Sequence, residues 1–159
     1  MPPSSHPNAQ LIERFYTAFA RGDAAAMSAC YAPDATFADP VFTLKGAAIG
    51  QMWHMLAQGA REFSLEFRDI SADDTSGRAH WEARYRFSGT GRKVHNIIDA
   101  EFRLRDGLIV DHRDHFDFWR WSRQALGLPG VLLGWSPLLH NKVRGQAAGR
   151  LAAFAAKQG

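Results

Sequence analysis

Along the first sixty residues the apolar positions fall at helical spacing. Leu11, Ile12, Phe15, Tyr16 and Phe19 recur every three or four residues, which predicts an amphipathic helix. In "RGD" at 21–23, Gly22 supplies a stop and Asp23 an N-cap for a second, short helix over about 24–31, limited by Pro33. "ATFADP" then reads as an extended segment, with Asp39 held in β or polyproline geometry by Pro40. A third helix carries Ile49, Met52, Trp53 and Leu56 on one stripe and closes at Gly59.

From there the period changes to two. Phe63, Leu65 and Phe67 alternate with Ser64, Glu66 and Arg68, and "DDTSG" at 73–77 turns the chain. Trp81, Ala83, Tyr85 and Phe87 alternate with His80, Glu82, Arg84 and Arg86, "SGTG" turns it again, and a strand over about 93–105 leads through "RDG" to a last strand over 110–118. Helices followed by hairpin-connected strands predict an α+β fold with an antiparallel sheet. After the sheet comes the Pro/Gly-punctuated "LGLPGVLLGWSPLL", then a final helix with Leu139, Val143, Ala147, Leu151 and Phe154 on one stripe and Lys142, Arg144, Gln146 and Arg150 away from it.

At 159 residues, 46% hydrophobic, the chain suffices for one domain with a buried core. It divides into a flexible N-terminus over 1–9, an α+β domain over 10–120 and a basic helical extension over 121–159. A single cysteine, Cys30, excludes an internal disulfide and fits a reducing compartment, where it serves as a small buried apolar residue. "MPPSSHPNAQ" lacks a basic region followed by an apolar core, so neither a signal peptide nor a transmembrane helix is expected, and the localisation read from this is cytoplasmic. The net charge of +3 is lopsided: Arg120, Arg123, Lys142, Arg144, Arg150 and Lys157 follow Asp117, and no acidic residue does. Their scatter, without a reading motif, argues against nucleic acid. The final helix is expected to pack on its own domain or a dimer mate, with peripheral membrane attachment as the alternative.

The densest chemistry lies in "VDHRDHFDF" at 110–118. Strand alternation sends Val110, His112, Asp114, Phe116 and Phe118 to one face and Asp111, Arg113, His115 and Asp117 to the other. The first set is mostly apolar and should face the core. The two imidazoles therefore cannot converge, and one strand offers only His112 and Asp114, so no metal site is expected. An inward carboxylate beside an inward imidazole can hold or pass a proton near neutral pH; the alternative is a buried pair that only holds hydrogen bonds. The opposite face mixes both signs across His80, Glu82, Arg84, Arg86, His95, Asp99, Glu101, Arg103, Asp111, Arg113, His115 and Asp117, which suits solvation or homodimerisation through the outer sheet. No glycine-rich phosphate loop follows a strand, and no cofactor is expected.

The stretches "FYTAFARGDAAAMSACYAPDATFADPV" and "FRLRDGLIVDHRDHFD" resemble the SnoaL-like and ketosteroid isomerase-like branches of the nuclear transport factor 2-like superfamily, over about residues 10–119. The resemblance implies a curved antiparallel sheet wrapped around the N-terminal helices, a cone-shaped, cystatin-like roll with an added C-terminal helix. It also implies an apolar pocket, which Tyr16, Trp53, Trp81, Tyr85, Asn96, Phe102 and Phe116 would line. Asp39 matches the base of the ketosteroid isomerases, one of the handful of reference systems for a tuned carboxylate. Phe15 and Ala100 stand where that family has its tyrosine and protonated aspartate, with Tyr16 one residue out of register. Asp114 matches the acid/base of SnoaL-like cyclases. The Asp-Arg-Asp set of limonene epoxide hydrolase-like enzymes finds only Asp114, because Asn96, Ile98 and Ala100 supply no inward Arg and Asp.

These residues lead to the expectation of a cofactor-independent enzyme, isomerase or cyclase in type, moving a proton next to a carbonyl of a small apolar or polycyclic substrate. Asp114 and Asp39 would carry protons, His112 would orient or polarise, and Asn96 or Tyr16 would donate to the developing oxyanion. Two alternatives stand beside it: a non-catalytic ligand-binding or dimeric assembly module of the same fold, and an epoxide hydrolase-like or lyase activity.

Overall fold

The computed structural model describes residues 6–59 and 61–158. Helices α1 (Pro7–Ala20) and α2 (Ala24–Ser28) lead into β1 (Tyr31–Ala38) and β2 (Thr43–Lys45), and α3 (Ala47–Gly59) follows. Four long strands come next: β3 (Arg61–Ala72), β4 (Ser76–Arg86), β5 (Lys93–Arg105) and β6 (Leu108–His115). The chain ends in α4 (Phe118–Leu126), α5 (Leu128–Leu133) and α6 (Pro137–Gln158).

The strands form one curved, unclosed six-stranded sheet in the order β2-β1-β6-β5-β4-β3. Its inner face wraps α1 and α3, so the expected α+β architecture is the observed one. Alternation along β5 is strict, with Val94, Asn96, Ile98, Ala100, Phe102 and Leu104 buried. Against them α1 presents Ile12, Phe15, Tyr16 and Phe19, and α3 presents Ile49, Met52 and Trp53. The Asp23 side chain caps α2 by accepting from the Ala26 N–H at 3.0 Å, as its place before the helix predicts.

Several boundaries differ from the sequence expectation. The second helix stops at Ser28, and Tyr31, expected at its end, opens β1. Pro33 does not end a helix; it lies inside β1 where the pairing with β6 shifts register between Tyr31 and Thr36, so its missing N–H costs no ladder bond. The sheet is mixed, because β6 pairs antiparallel with β5 but parallel with β1. Strand β2, three residues long, is too short to show a period. At the other end, β6 stops at His115, and the Asp117 carboxylate accepts from the Arg120 N–H at 3.1 Å as the N-cap of α4. Phe118 and Asp117 therefore belong to a helix start, because capping competes with continuing the strand. The expected flexible N-terminus includes residues 1–5, outside the described residues, while Pro7–Ala9 already form the first turn of α1.

Three helices stand where one was expected, and α4 runs from Phe118 across residue 121. Phe118, Trp121 and Ala125 of α4 make a second apolar cluster with Val94 of β5. Val41, Tyr85 and Phe116 pack against both this cluster and the main core. Helix α6 reaches back over α3, where Phe154 meets the His54 ring edge-on at 5.2 Å. Its expected stripe is the covered side, with Leu151 buried and Leu139, Val143, Ala147 and Phe154 half-buried.

Candidate active site

On β6 the pairing with β5 shifts between Arg103 and Leu104, which makes Val110 the extra residue of a bulge and turns Ile109 inward in its place. Beyond the bulge the predicted alternation holds. His112 sits opposite Phe102 and Asp114 opposite Ala100, both on the core side, with His112 wholly buried and Asp114 4% exposed. A polar pair this deep is stable only if its hydrogen-bonding capacity is met.

A chain of four side chains meets it. The Trp53 indole N–H donates to the Tyr31 hydroxyl at 3.0 Å, and Tyr31 lies 2.7 Å from His112 Nδ1. On the other side of the ring, His112 Nε2 lies 2.9 Å from Asp114 Oδ1, which also accepts from the Trp81 indole at 3.4 Å. One direction of donation satisfies every member: Trp53 N–H to Tyr31 O, Tyr31 O–H to Nδ1, and Nε2–H to the Asp114 carboxylate. This puts a proton on His112 Nε2, an assignment made from the network. Both ring nitrogens are thereby engaged, so His112 faces Asp114 and Tyr31 and has no free nitrogen for a further partner. Both bonds to Asp114 use Oδ1, which leaves Oδ2 as its other oxygen.

Phe15, Phe37, Trp53 and Phe102 surround the imidazole, with ring centroids 4.3–6.2 Å away. Tyr16 is also fully buried, stacked on Phe67 at 5.6 Å, and among the described residues its hydroxyl has no hydrogen-bond partner. Burial first, and then the Asp114 charge, push the Tyr16 hydroxyl well above its ordinary pKa, so it stays a neutral donor. An unpaired buried hydroxyl costs about 1–3 kcal/mol.

Asp39 follows β1 in the tight turn before β2. Its Oδ1 accepts from the Val41 and Phe42 N–H groups at 2.7 and 2.6 Å, which fixes the carboxylate as a turn cap. Burial raises its pKa from 3.8 to about 6; the two backbone bonds oppose the rise, the Asp114 charge adds to it and His112 opposes it. The two carboxylates thus act on each other across the interior. Tyr85, pushed up mainly by burial, is also affected by the Asp39 charge, and its hydroxyl accepts from the Trp121 indole at 3.0 Å. Helix α6 reaches the same turn, where His140 Nε2 donates to the Pro40 carbonyl. The C-terminal helices therefore cover the side of the sheet where Asp39 lies.

Of the residues expected to line a pocket, Tyr16, Trp53, Trp81 and Phe102 are packed in the main core, Asn96 is buried opposite Ala83, and Tyr85 and Phe116 sit at the seam between the two clusters. Of the expected lining, Tyr85 alone borders a surface cleft among the described residues, with Glu62, Arg84, Lys93, Val94, His95 and Gln124. A second cleft is bordered by Asp69, Arg78, His80, Asp99, Glu101 and His115, and neither includes Asp39, His112 or Asp114. Sequence reasoning missed Tyr31, Trp121 and His140. The signal for Tyr31 was present: a buried histidine facing one aspartate needs a partner for its other nitrogen.

On the outer face, Glu82 lies between His80 Nε2 at 2.9 Å and His95 Nε2 at 2.7 Å, which holds its pKa down to about 2. His80 also bonds Asp99 at 2.9 Å. Of the charges mapped to this face by alternation, Glu82–His95, His80–Asp99 and Glu101–His115 pair across strands, while Arg113 pairs with Asp111 along β6. Among the described residues no group of three or more His, Cys, Asp or Glu is placed to hold a metal ion.

The SnoaL-like domain family matches residues 12–112, and this chain belongs to it. No curated protein matches. Solved structures share the fold: a candidate polyketide cyclase from Xanthomonas campestris pv. campestris is 24% identical with a TM-score of 0.63, covering 74% of this chain and 96% of its own. An LEH-like epoxide hydrolase of M. tuberculosis is 20% identical with a TM-score of 0.64, covering 79% and 95%. A protein with a ketosteroid isomerase-like fold from Catenulispora acidiphila is 14% identical with a TM-score of 0.66, covering 77% and 95%. At these identities the likeness is one of fold.

Proposed function

We propose that this protein is a cofactor-independent enzyme that moves a proton next to a carbonyl of a small apolar or polycyclic substrate, in the manner of an isomerase or cyclase. The observation that carries this reading is the pair of interior carboxylates: Asp114 anchored by the Trp53–Tyr31–His112 chain, and Asp39 anchored by backbone at the edge of the same interior. Asp39, half-buried and titrating near neutrality, is the base. It takes a proton from the carbon beside the carbonyl, and the C–H electron pair moves to the carbonyl oxygen to give an enolate. The Tyr16 hydroxyl supplies a donor with no competing partner, and the aromatic surroundings make such a dipole count for more than in water. Return of the proton to another carbon completes an isomerisation; attack of the enolate carbon on a second carbonyl, with protonation of the new alkoxide, completes a cyclisation. Asp114 is the second proton carrier through Oδ2, and His112 is a positioning residue, since both its nitrogens are committed. The inward face of β5 carries Asn96, Ile98, Ala100 and Phe102 with no arginine, which favours this chemistry over epoxide opening.

The test needs no known substrate. Enolisable cyclic ketones and β-keto esters are incubated with the protein in D2O, and deuterium uptake at the carbon beside the carbonyl is followed by NMR. Wild type should accelerate exchange for at least one class, and Asp39→Asn should slow it by about a hundredfold or more. Exchange unaffected by Asp39→Asn and Asp114→Asn alike would end the proposal. A second reading, a ligand-binding or assembly module without chemistry, is favoured by the close packing around Asp114; it predicts no exchange with any member of the panel.

A further inference from the structure

In the hairpin of α4 and α5, α4 buries Phe118 and Trp121, but α5 and the turn after it pack on α4 inside out. Their covered side carries the smallest residues: Gly130 and Gly134 are buried, and a Cβ at Gly130 would lie 1.9 Å from the Ser122 carbonyl oxygen. The outward side, continuing into the start of α6, carries the largest. Leu128 is 67% exposed, Leu132 58%, Trp135 74% and Leu138 79%, with Val131 and Leu133 close behind. A soluble helix ordinarily turns its leucines inward, and a contiguous apolar patch of this kind marks an interaction surface.

The hairpin is also held in this posture. The Trp119 indole donates to the Val131 carbonyl at 3.2 Å, the Trp135 indole to the Leu132 carbonyl at 2.9 Å, and the Arg123 guanidinium covers the Trp119 ring at 4.0 Å. Arg92 reaches over from the β4–β5 turn to donate to the Gln124 carbonyl at 2.9 Å, beside Gly127 at the hairpin bend. Lys142 is exposed one turn beyond Leu138. From Phe118 to Gly159 the chain carries six Lys and Arg and no acidic residue. These helices lie outside the residues 12–112 that match the family.

We propose that this hairpin docks on an anionic lipid bilayer, with Leu128, Leu132, Trp135 and Leu138 entering the interface and Arg92, Arg123 and Lys142 meeting the headgroups. Charge selects the occupant. A second copy seated two-fold on the same face would bring two all-basic segments together, whereas an anionic surface complements them. No helix among the described residues is long and apolar enough to cross a membrane, so the attachment lies in the surface. The proposal is independent of the proton-transfer reading.

It is tested by sedimentation of the full chain with vesicles of phosphatidylcholine, with and without phosphatidylglycerol. Wild type should pellet with the anionic vesicles, far less with the neutral ones, and should be released as salt rises. The double variant Leu132→Ser/Trp135→Ser, both exposed positions, should keep the wild-type circular dichroism and bind at least about tenfold more weakly. Arg92→Gln/Arg123→Gln should weaken binding to anionic vesicles and leave the residual binding to neutral ones unchanged. Wild type remaining in the supernatant overturns the proposal, as does equal binding by the serine variant. Conversion of a wild-type dimer to a monomer by that variant, without vesicle binding, would assign the face to a second copy.

Discussion

Replacing Asp39 by Asn keeps the shape of the side chain and an oxygen for the Val41 and Phe42 N–H groups, but removes the charge that burial disfavours. In the unfolded chain this carboxyl titrates near 3.8, and in the folded protein at about 6. Between these values the folded state holds a proton that the unfolded state has released. Stability from this group is therefore lost as pH rises through that window, and above about pH 7 the folded protein carries the whole cost. At about 1.4 kcal/mol for each pH unit between the two titrations, the ceiling is about 3 kcal/mol. Asp39 is only half-buried, and solvent screening brings the expected effect to about 1–2 kcal/mol. Urea denaturation of wild type and Asp39→Asn at pH 4.5 and pH 7.5 checks it, since the difference between the two proteins cancels every other titrating group. The variant should gain on wild type by about that amount between the lower and the higher pH. An unchanged or reversed difference would refute the burial of the charge. On the proposed function the same substitution should slow deuterium exchange by about a hundredfold or more, and wild-type exchange should rise with pH through about 6 as Asp39 ionises, so stability and activity would move in opposite directions at one residue.

Tyr31→Phe removes the partner of both His112 Nδ1 and the Trp53 indole and should destabilise the fold by about 1–3 kcal/mol in urea denaturation; a wild-type midpoint would mean the relay is not formed. Gly130→Ala sets a methyl against backbone that cannot swing aside, so it should cost about 1–3 kcal/mol or more and open residues 127–136 to protease; an unchanged melting temperature and cleavage pattern would refute the tight α4–α5 contact. His80 is held above its ordinary pKa by Asp99 first and Glu82 next. In Glu82→Gln its NMR titration should move down but stay partly raised, and an unmoved midpoint would show that the outer-face cluster does not form in solution.

Where a period runs uninterrupted, the sequence was a sufficient guide. The helical stripe from Leu11 to Phe19 and the alternation through Trp81 and Ala83 follow from spacing, and so does the inward placement of His112 and Asp114 once past the bulge that turns Val110 out of the expected series. What spacing misjudged has a local physical cause in each case. Pro33 reads as a helix stop because a missing N–H argues against a strand, yet the register shift beside it makes that N–H unnecessary. Asp117 reads as a strand residue because it continues the alternation, until its carboxylate finds the open N–H of α4. Tyr31 was lost with the misplaced end of α2, and with it the partner that completes the His112 network. The contacts of Trp121 and His140 join segments 36 and 100 residues apart, a distance over which no periodicity speaks.

The two carboxylates differ in what holds them, and that difference divides their roles. Asp114 receives side-chain donors on one oxygen, at the end of a chain in which each group has its acceptor. Moving a proton along that chain would require Tyr31 or His112 to change a bond inside packed aromatics, which is the behaviour of an anchor. Asp39 receives backbone donors on one oxygen, from a turn at the edge of the core. Burial raises its affinity for that proton, the Asp114 charge adds to the effect, and the two backbone bonds keep it from rising further. A carboxylate poised in this way exchanges protons near neutral pH, and on the proposed reading Asp114, through its Oδ2, is left the second transfer. On the proposed function, the first step of proton transfer therefore belongs to Asp39.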